Sequence, residues 1–466
     1  MVLLAKFREL AIENVFLLDY YYYLIGRYQV YFDRKNFGKV PQYLQKYCLF
    51  QYRGMCRDWN AEVTSPFQSN NFSVKLSKQV LVVKYFFLFF LLRCFSLAFI
   101  SSTRDSPIKR VSLGTEVWKS EGVIFEVLFI FECVIGYLFL QFSFTTNLLH
   151  YKFLAVFHMQ ENGSHFSYTL FGLTRAQFAR LSRLRRQVLL VNNLVVGFFT
   201  TFGFAAVCWL YINAGLFISH PLWSGLWLLI LEYFIFATFI TIFANLMAFQ
   251  LLMVYITEKQ AVIGRQMKQC TAAAVQRAYH QQTFSTFSYP IAWYRLQETA
   301  VQYAHLFDEL ADYSLFWSPL ISFFFLFCSL MIAYILYVSL FSTLSIFING
   351  LLILYMTSLV LIFSGITLYC GKIVRTNELL ARRQLAACAQ LTKARTFDSS
   401  SFTERRYRSP MPTASLIKFH LLAALLQANS QSGFILLNGY LITHDTMRLL
   451  ATNIAVYFML FISRFH

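Results

Sequence analysis

The chain has 466 residues, of which 58% are apolar, 19% aromatic and only 13% charged. Soluble domains carry roughly a quarter charged residues, so this composition excludes an ordinary soluble enzyme, and 18 Gly and 8 Pro leave little room for disordered or loop-rich architectures. Most of the basic residues behind the net charge of +18 sit in segments between apolar runs of membrane-spanning length, which argues against nucleic acid and for flanking charge on a polytopic helical membrane protein.

In chain order, residues 1–78 read as a cytoplasmic or interfacial segment. Its apolar, Tyr-rich stretch 11–32 is interrupted by Glu13, Asp19 and Arg27, which suits a helix lying at the interface, and no cleavable signal peptide is expected. A helix needs about 20 mostly apolar residues to cross a bilayer core of roughly 30 Å. Segments 79–102, 122–146, 187–211, 222–255, 316–340, 347–370 and 447–465 meet that length, and the third, fifth and sixth contain no Asp, Glu, Lys or Arg. The expected fold class is all-α, with seven transmembrane helices. Residues 79–370 form the first six with long loops 147–186 and 256–315, residues 371–446 a cytoplasmic linker and anchor helix, and residues 447–466 the seventh helix.

Loop charge sets the expected orientation. Loop 147–186 holds Lys152, Arg175, Arg180, Arg183, Arg185 and Arg186, and 371–418 holds ten Lys and Arg, including Arg382, Arg383, Arg405, Arg406 and Arg408. Loops 212–221 and 341–346 hold none; 103–121, with Arg104, Lys109, Arg110 and Lys119, dissents. The balance places the N-terminus in the cytoplasm and the C-terminus outside. Two sequons, at Asn71 and Asn162, then face the cytoplasm, where they are not used. The nine cysteines avoid the outer loops, so no disulfide framework is implied. No metal-ligand spacing, phosphate-binding glycine loop or nucleophile elbow gives enzyme or cofactor chemistry a foothold.

The inner segments carry helical periodicity. In 291–315, Leu296, Ala300, Tyr303, Leu306, Phe307 and Leu310 recur at i, i+3, i+4 spacing, predicting an amphipathic helix that runs into the fifth span. Segment 222–255 would be about 50 Å long at 1.5 Å per residue, more than the membrane core. Helices therefore project beyond the membrane and need a membrane-proximal bundle to bury their faces. Residues 396–412, polar and Ser-rich with Pro410 and Pro412 near the end, read as a mobile linker.

The last span carries Val456-Tyr457, an apolar run of five residues, Ser463-Arg464 and Phe465, preceded by Asn438-Gly439-Tyr440-Leu441 and Thr443-His444-Asp445. This arrangement resembles the insect chemoreceptor superfamily, in its gustatory receptor branch, whose final span reads Thr-Tyr, five apolar residues, Gln-Phe. Tyr457 and the apolar run match. Val456 and the Ser463-Arg464 pair stand where the family has Thr and Gln-Phe. The likeness covers the whole chain in topology and about 35 residues in motif. It implies a ligand-gated cation channel of the plasma membrane, built as a homo- or hetero-tetramer with related receptors. The last helix would line the pore, the inner parts of later helices would form a shared anchor, and a small tastant would bind among the outer halves of the second to sixth spans.

Tyr457, Leu460, Phe461 and Arg464 recur at 3–4 spacing and share a helical face; four copies could gate by dewetting. A ring of Arg464 side chains would oppose cations, unless the side chain snorkels to the interface and Phe465 supplies the constriction. Arg93, Glu132 and Glu232 fall about 15 Å inside predicted spans by helical rise. A charge at that depth costs several kcal/mol unless paired or facing water, so Arg93 is expected to pair with Glu132 or Glu232, one carboxylate bracing helices and the other facing the ligand cavity. Trp209, Glu232, Tyr233, Tyr334 and Tyr355 are candidate pocket residues, since pockets are mainly apolar with a few placed polar groups. Membrane lipids complete the expected partners.

Two other classes fit less well. A non-conducting seven-helix receptor or scaffold of the same fold, signalling through cytoplasmic partners, is the alternative, although the inverted orientation and the lack of Asp-Arg-Tyr and Asn-Pro-x-x-Tyr signatures argue against a G-protein-coupled version. A secondary transporter would need broken helices and inverted halves, and the span-associated Pro221 and Pro319 are expected near helix ends.

Overall fold

The computed structural model describes residues 84–93, 122–145, 175–213, 215, 221–279, 288–342, 344–399, 432–437 and 439–465. The expected interfacial stretch 11–32, both sequons, Phe465 as a side chain and most of the 396–412 linker lie outside them. Seven helical segments appear among the described residues. These are α1 (84–93), α2 (Gly122–Thr145), α3 (Arg175–Asn213), α4 (Pro221–Tyr279), α5 (Ser288–Phe341), α6 (Ile346–Ser399) and α7 (Thr446–Phe465). No β-strand occurs there, only one isolated antiparallel bridge between Ile435 and Leu441.

Helices α4 to α7 contain windows long and apolar enough to cross a membrane, while the apolar stretches of α2 and α3, Val127–Phe139 and Leu194–Trp209, are shorter. The projecting helices are longer than the apolar runs alone imply. At 59 residues, α4 is roughly 90 Å long by helical rise, three times the hydrocarbon thickness. The amphipathic segment 291–315 and the fifth apolar run form one continuous helix, α5. Helix α6 runs through the start of the expected linker to Ser399.

The prolines take two different positions. Pro221 opens α4, where a missing N–H costs nothing because the first-turn donors have no intrahelical partner. Pro319 lies well inside α5, correcting its expected place near a helix end. The reason is that α5 begins at Ser288, 31 residues earlier by numbering, so the proline marks an entry to the apolar run and not the start of a helix.

The chain divides into two compact units, Met1–Tyr168 with Ser182–Leu251, and Thr169–Leu181 with Leu252–His466. In the first, Phe87, Phe90, Phe129, Cys133, Leu231 and Phe234 form a buried core. The rings of Phe90 and Phe234 stack at 4.3 Å, and Phe129 meets Phe234 edge-on at 5.7 Å. Helices α1 and α2 approach closely at Gly136, where a Cβ would sit 2.8 Å from the Phe87 ring.

In the second unit, α7 packs chiefly on α5 and more sparingly on α6. The buried face of α6 reads Ile366, Cys370, Ile373, Asn377, Leu380, Gln384 and Ala387. Those steps alternate four and three residues, the spacing of a heptad seam, with two amides among the apolar positions. The α4 side is shaped to receive it: Gly264 lies so close to α6 that a Cβ would be 3.2 Å from Leu380. Glu309 of α5 accepts hydrogen bonds from Tyr255 (2.9 Å), Tyr313 (3.2 Å) and the Lys259 ammonium. Arg180 pairs with buried Glu258 at 3.0 Å.

Candidate functional site: the α7 helix and its connecting turn

Residues 432–445 lead into α7 through a tight two-sided turn. Ile442 N–H donates to Phe434 O and Leu436 N–H to Tyr440 O, both at 2.8 Å. Gly439 closes the turn at φ 81°, donating to Leu436 O; a side chain there would be strained, which is why glycine occupies it. The turn hangs from α5 by side chains that catch its backbone. Ile435 N–H donates to Ser314 Oγ at 3.2 Å and Leu437 N–H to Ser322 Oγ at 2.8 Å. Non-helical backbone near a membrane has to find protein or water partners for its polar groups, and these two serines supply them.

The turn reaches α6 as well. Gly433 lies against Val374, and the His444 ring covers Gly371. At the start of α7, the Thr446 hydroxyl accepts from the Thr443 N–H at 2.9 Å. Met447 then accepts a hydrogen bond from Ser364 at 3.8 Å through its sulfur.

Along α7, Phe461 packs on Tyr334 and Tyr337 of α5, with ring centroids 5.7 and 6.0 Å away, and Phe458 meets Phe341 at 6.4 Å. Leu450 is buried. The opposite side, Arg448, Thr452, Ala455, Met459 and Ser463, is exposed. The boundary between the two sides runs through the predicted stripe: Phe461 faces α5, Tyr457 is half-buried, and Leu460 and Arg464 are exposed. The hydroxyls of Thr452 and Ser463 donate to their own helix, at Arg448 O and Leu460 O, which keeps small polar groups compatible with an apolar helix.

Among the predicted polar residues of the first unit, Arg93 is buried on α1, with its guanidinium 5.5 Å from the Phe90 ring and 5.3 Å from Trp227. A desolvated cation–π contact is worth about 2 kcal/mol. Two such contacts are therefore of the same order as the roughly 3 kcal/mol that insertion scales assign to a mid-membrane arginine. Sequence reasoning looked only for a carboxylate and overlooked this aromatic clamp; the Phe90 to Arg93 spacing of three residues could have revealed half of it. Glu132 is half-buried on α2 and Glu232 half-buried on α4, with Glu232 Oε2 buried and without a hydrogen-bond donor.

The five predicted pocket residues do not assemble in one unit. Trp209, Glu232 and Tyr233 belong to the first; Tyr334 and Tyr355 belong to the second. Tyr233 is partly exposed and meets Phe86 edge-on at 4.8 Å, while Tyr334 is buried under Phe461 and so serves the α5–α7 contact. Tyr355 is half-buried on α6.

Compared with known folds, the chain is similar to the insect olfactory receptor OR5 from Machilis hrabei. The match has a TM-score of 0.54 at 10% identity and covers 87% of this chain and 98% of that one. The same receptor in complex with eugenol matches with a TM-score of 0.50 at 11% identity, over 82% of this chain and 88% of that one. No family model and no curated protein matches the sequence. At such identity the likeness is one of fold: this is a helical membrane protein with the fold of an insect olfactory receptor.

Proposed function

We propose that the chain is a gustatory-receptor-type chemoreceptor: a ligand-gated, non-selective cation channel of the plasma membrane, opened by a small tastant and assembled as a tetramer with itself or with related receptors. Its N-terminus is cytoplasmic and its C-terminus extracellular. The observation that carries this reading is the two-sided character of α7. One side is fastened to α5 by Phe458 and Phe461, and the other presents Thr452, Ala455, Met459 and Ser463. Small and hydroxyl-bearing residues on an otherwise apolar helix suit a surface repeated around a water-filled axis. Met459 and Leu460 would form the hydrophobic constriction that dewets when closed, with Tyr457 on its flank. At the outer mouth Arg464 extends to the interface and Phe465 narrows the path. For the ligand, Trp209 and Tyr233 offer aromatic faces, and Glu232 Oε2 offers an acceptor to a ligand hydroxyl or amine.

Patch-clamp recording tests the reading on cells expressing the wild type and Arg464→Gln, challenged with sugars, alkaloids and eugenol. The expected outcome is a stimulus-evoked cation current of similar size in both forms, since a guanidinium drawn out to the interface leaves the path free of its charge; a several-fold larger current in Arg464→Gln would instead put the guanidiniums in a ring at the mouth, where like charges oppose cations. Surface-expressed protein that passes no current in either form, under any stimulus, would favour a non-conducting receptor of the same fold.

A further inference from the structure

Asn377 is 1% exposed and sits on the buried seam of α6 where apolar residues precede and follow it. Its side chain is used on both ends. Oδ1 accepts from Gln260 Nε2 of α4 at 2.7 Å, while Nδ2 donates to Ser432 O at 3.0 Å and approaches Ser432 Oγ at 3.4 Å. Its backbone carbonyl accepts the Tyr303 hydroxyl of α5 at 3.0 Å. Gln260 Nε2 also donates to Ile373 O, one turn earlier on α6, at 3.0 Å. A single residue therefore joins α4, α5, α6 and Ser432 of the segment that leads into α7. An amide inside an apolar seam costs stability unless its groups are satisfied, and here both ends are, by partners on different elements.

We infer that Asn377 is the positioning residue of the α7 helix: its amide clamps the 432–445 turn to the α4–α6 core, and through that turn it sets where α7 stands. This goes beyond the channel reading; its gating consequence, that loosening the turn changes the resting current, rests on that reading. Four other contacts define the same docking: Gly433 on Val374, His444 on Gly371, and the Ser314 and Ser322 hydroxyls on the turn backbone. Asn377 differs from them in also touching Gln260, so a shift of α4 against α6 pulls on the segment that carries α7. The hydrogen bond from Asn377 to Ser432 is made to a main-chain oxygen. It therefore depends on the donor at position 377 and not on the identity of residue 432.

Asn377→Asp separates the two ends of the amide, because a carboxylate can still accept from Gln260 but has no N–H for the Ser432 carbonyl. The readout is maleimide labelling of Leu436→Cys, a turn position that is buried in the parent, measured on the full-length protein in detergent above the labelling of its native cysteines. Losing a buried donor opposite a carbonyl should speed that labelling about tenfold. Ile263→Ala, a cavity in the same core away from the turn, should leave it at the parental rate. Where Asn377→Asp fails to fold, Gly433→Ala takes its place. Its Cβ would collide with Val374 Cγ2, forcing the turn outward, and Val374→Ala should restore protection. Parental labelling in Asn377→Asp, or equal acceleration by Ile263→Ala, would overturn the assignment. Labelling needs no current, so a silent parent counts against the channel reading alone. In a conducting parent, faster labelling with an unchanged resting current would overturn the gating consequence.

Discussion

At the level of single side chains, the closest approach in the first unit is the Phe87 ring over Gly136. Replacing Gly136 by alanine puts a methyl 2.8 Å from an aromatic ring that is itself 1% exposed, so neither partner has space to retreat. The expected cost is about 1–3 kcal/mol, read as a lower melting temperature of the purified protein, with Phe87→Leu in the same chain recovering most of it. An unchanged melting temperature would mean that α1 and α2 separate freely at this level. This contact was not legible beforehand, because a glycine in an apolar helix has many roles and only the facing ring defines this one. Asn377 was closer to view: the apolar 3–4 pattern of α6 is broken by amides at 377 and 384, and a polar residue on a buried seam marks a register or a site.

Between helices, the sequence carried most of the architecture. Each helical segment among the described residues overlaps a predicted apolar run, four of them long and apolar enough to cross a membrane, and the periodicity of 291–315 foretold its continuity with the fifth run, since burial on one face leaves a repeat that composition can show. The residues quoted ahead of the last span, Asn438 to Leu441 and Thr443 to Asp445, marked a turn before α7, but its fastening was hidden, because it relies on Ser314 and Ser322 of α5, more than a hundred residues away in the chain, as well as on Asn377. The same limit applied to the α7 stripe, which was assigned by spacing while the position of α5 decides which edge of it is covered. For α1 and α2 the pairing of Arg93 with Glu132 stands as a proposal. Reversing either charge alone should sharply reduce surface expression, and exchanging them, Arg93→Glu with Glu132→Arg, should restore much of it. Should the exchange behave like the worse single variant, the pairing of Arg93 with Glu132 is wrong and Glu232 is the carboxylate to exchange next.

For the whole molecule, orientation is the property most open to a direct measurement. Epitope tags at the two ends, probed on intact and then permeabilised cells, should show the C-terminal tag at once and the N-terminal tag only after permeabilisation. The opposite pattern would invalidate the reading of the loop charges and with it the assignment of the α4–α6 extensions to the cytoplasm. Loop charge could suggest this because translocation responds to Lys and Arg near span ends. The proposed conduction is less accessible from sequence, since a pore of that kind would belong to several copies at once and the α7 residues that would face its axis are distributed over one side of the helix.

The paired amides on α6 have a mechanical corollary. Asn377 and Gln384 are seven residues apart, about 10.5 Å along the axis, and Asn377 is in register with a specific glutamine on α4. Sliding one rod past the other by a single turn would strand that donor and acceptor in a greasy seam, with nothing equivalent to receive them until a full heptad had gone by. Axial creep is thereby penalised. Whatever strokes the protein makes in service are left to tilting or twisting of the packed rods, with the toothed seam kept engaged like a pawl.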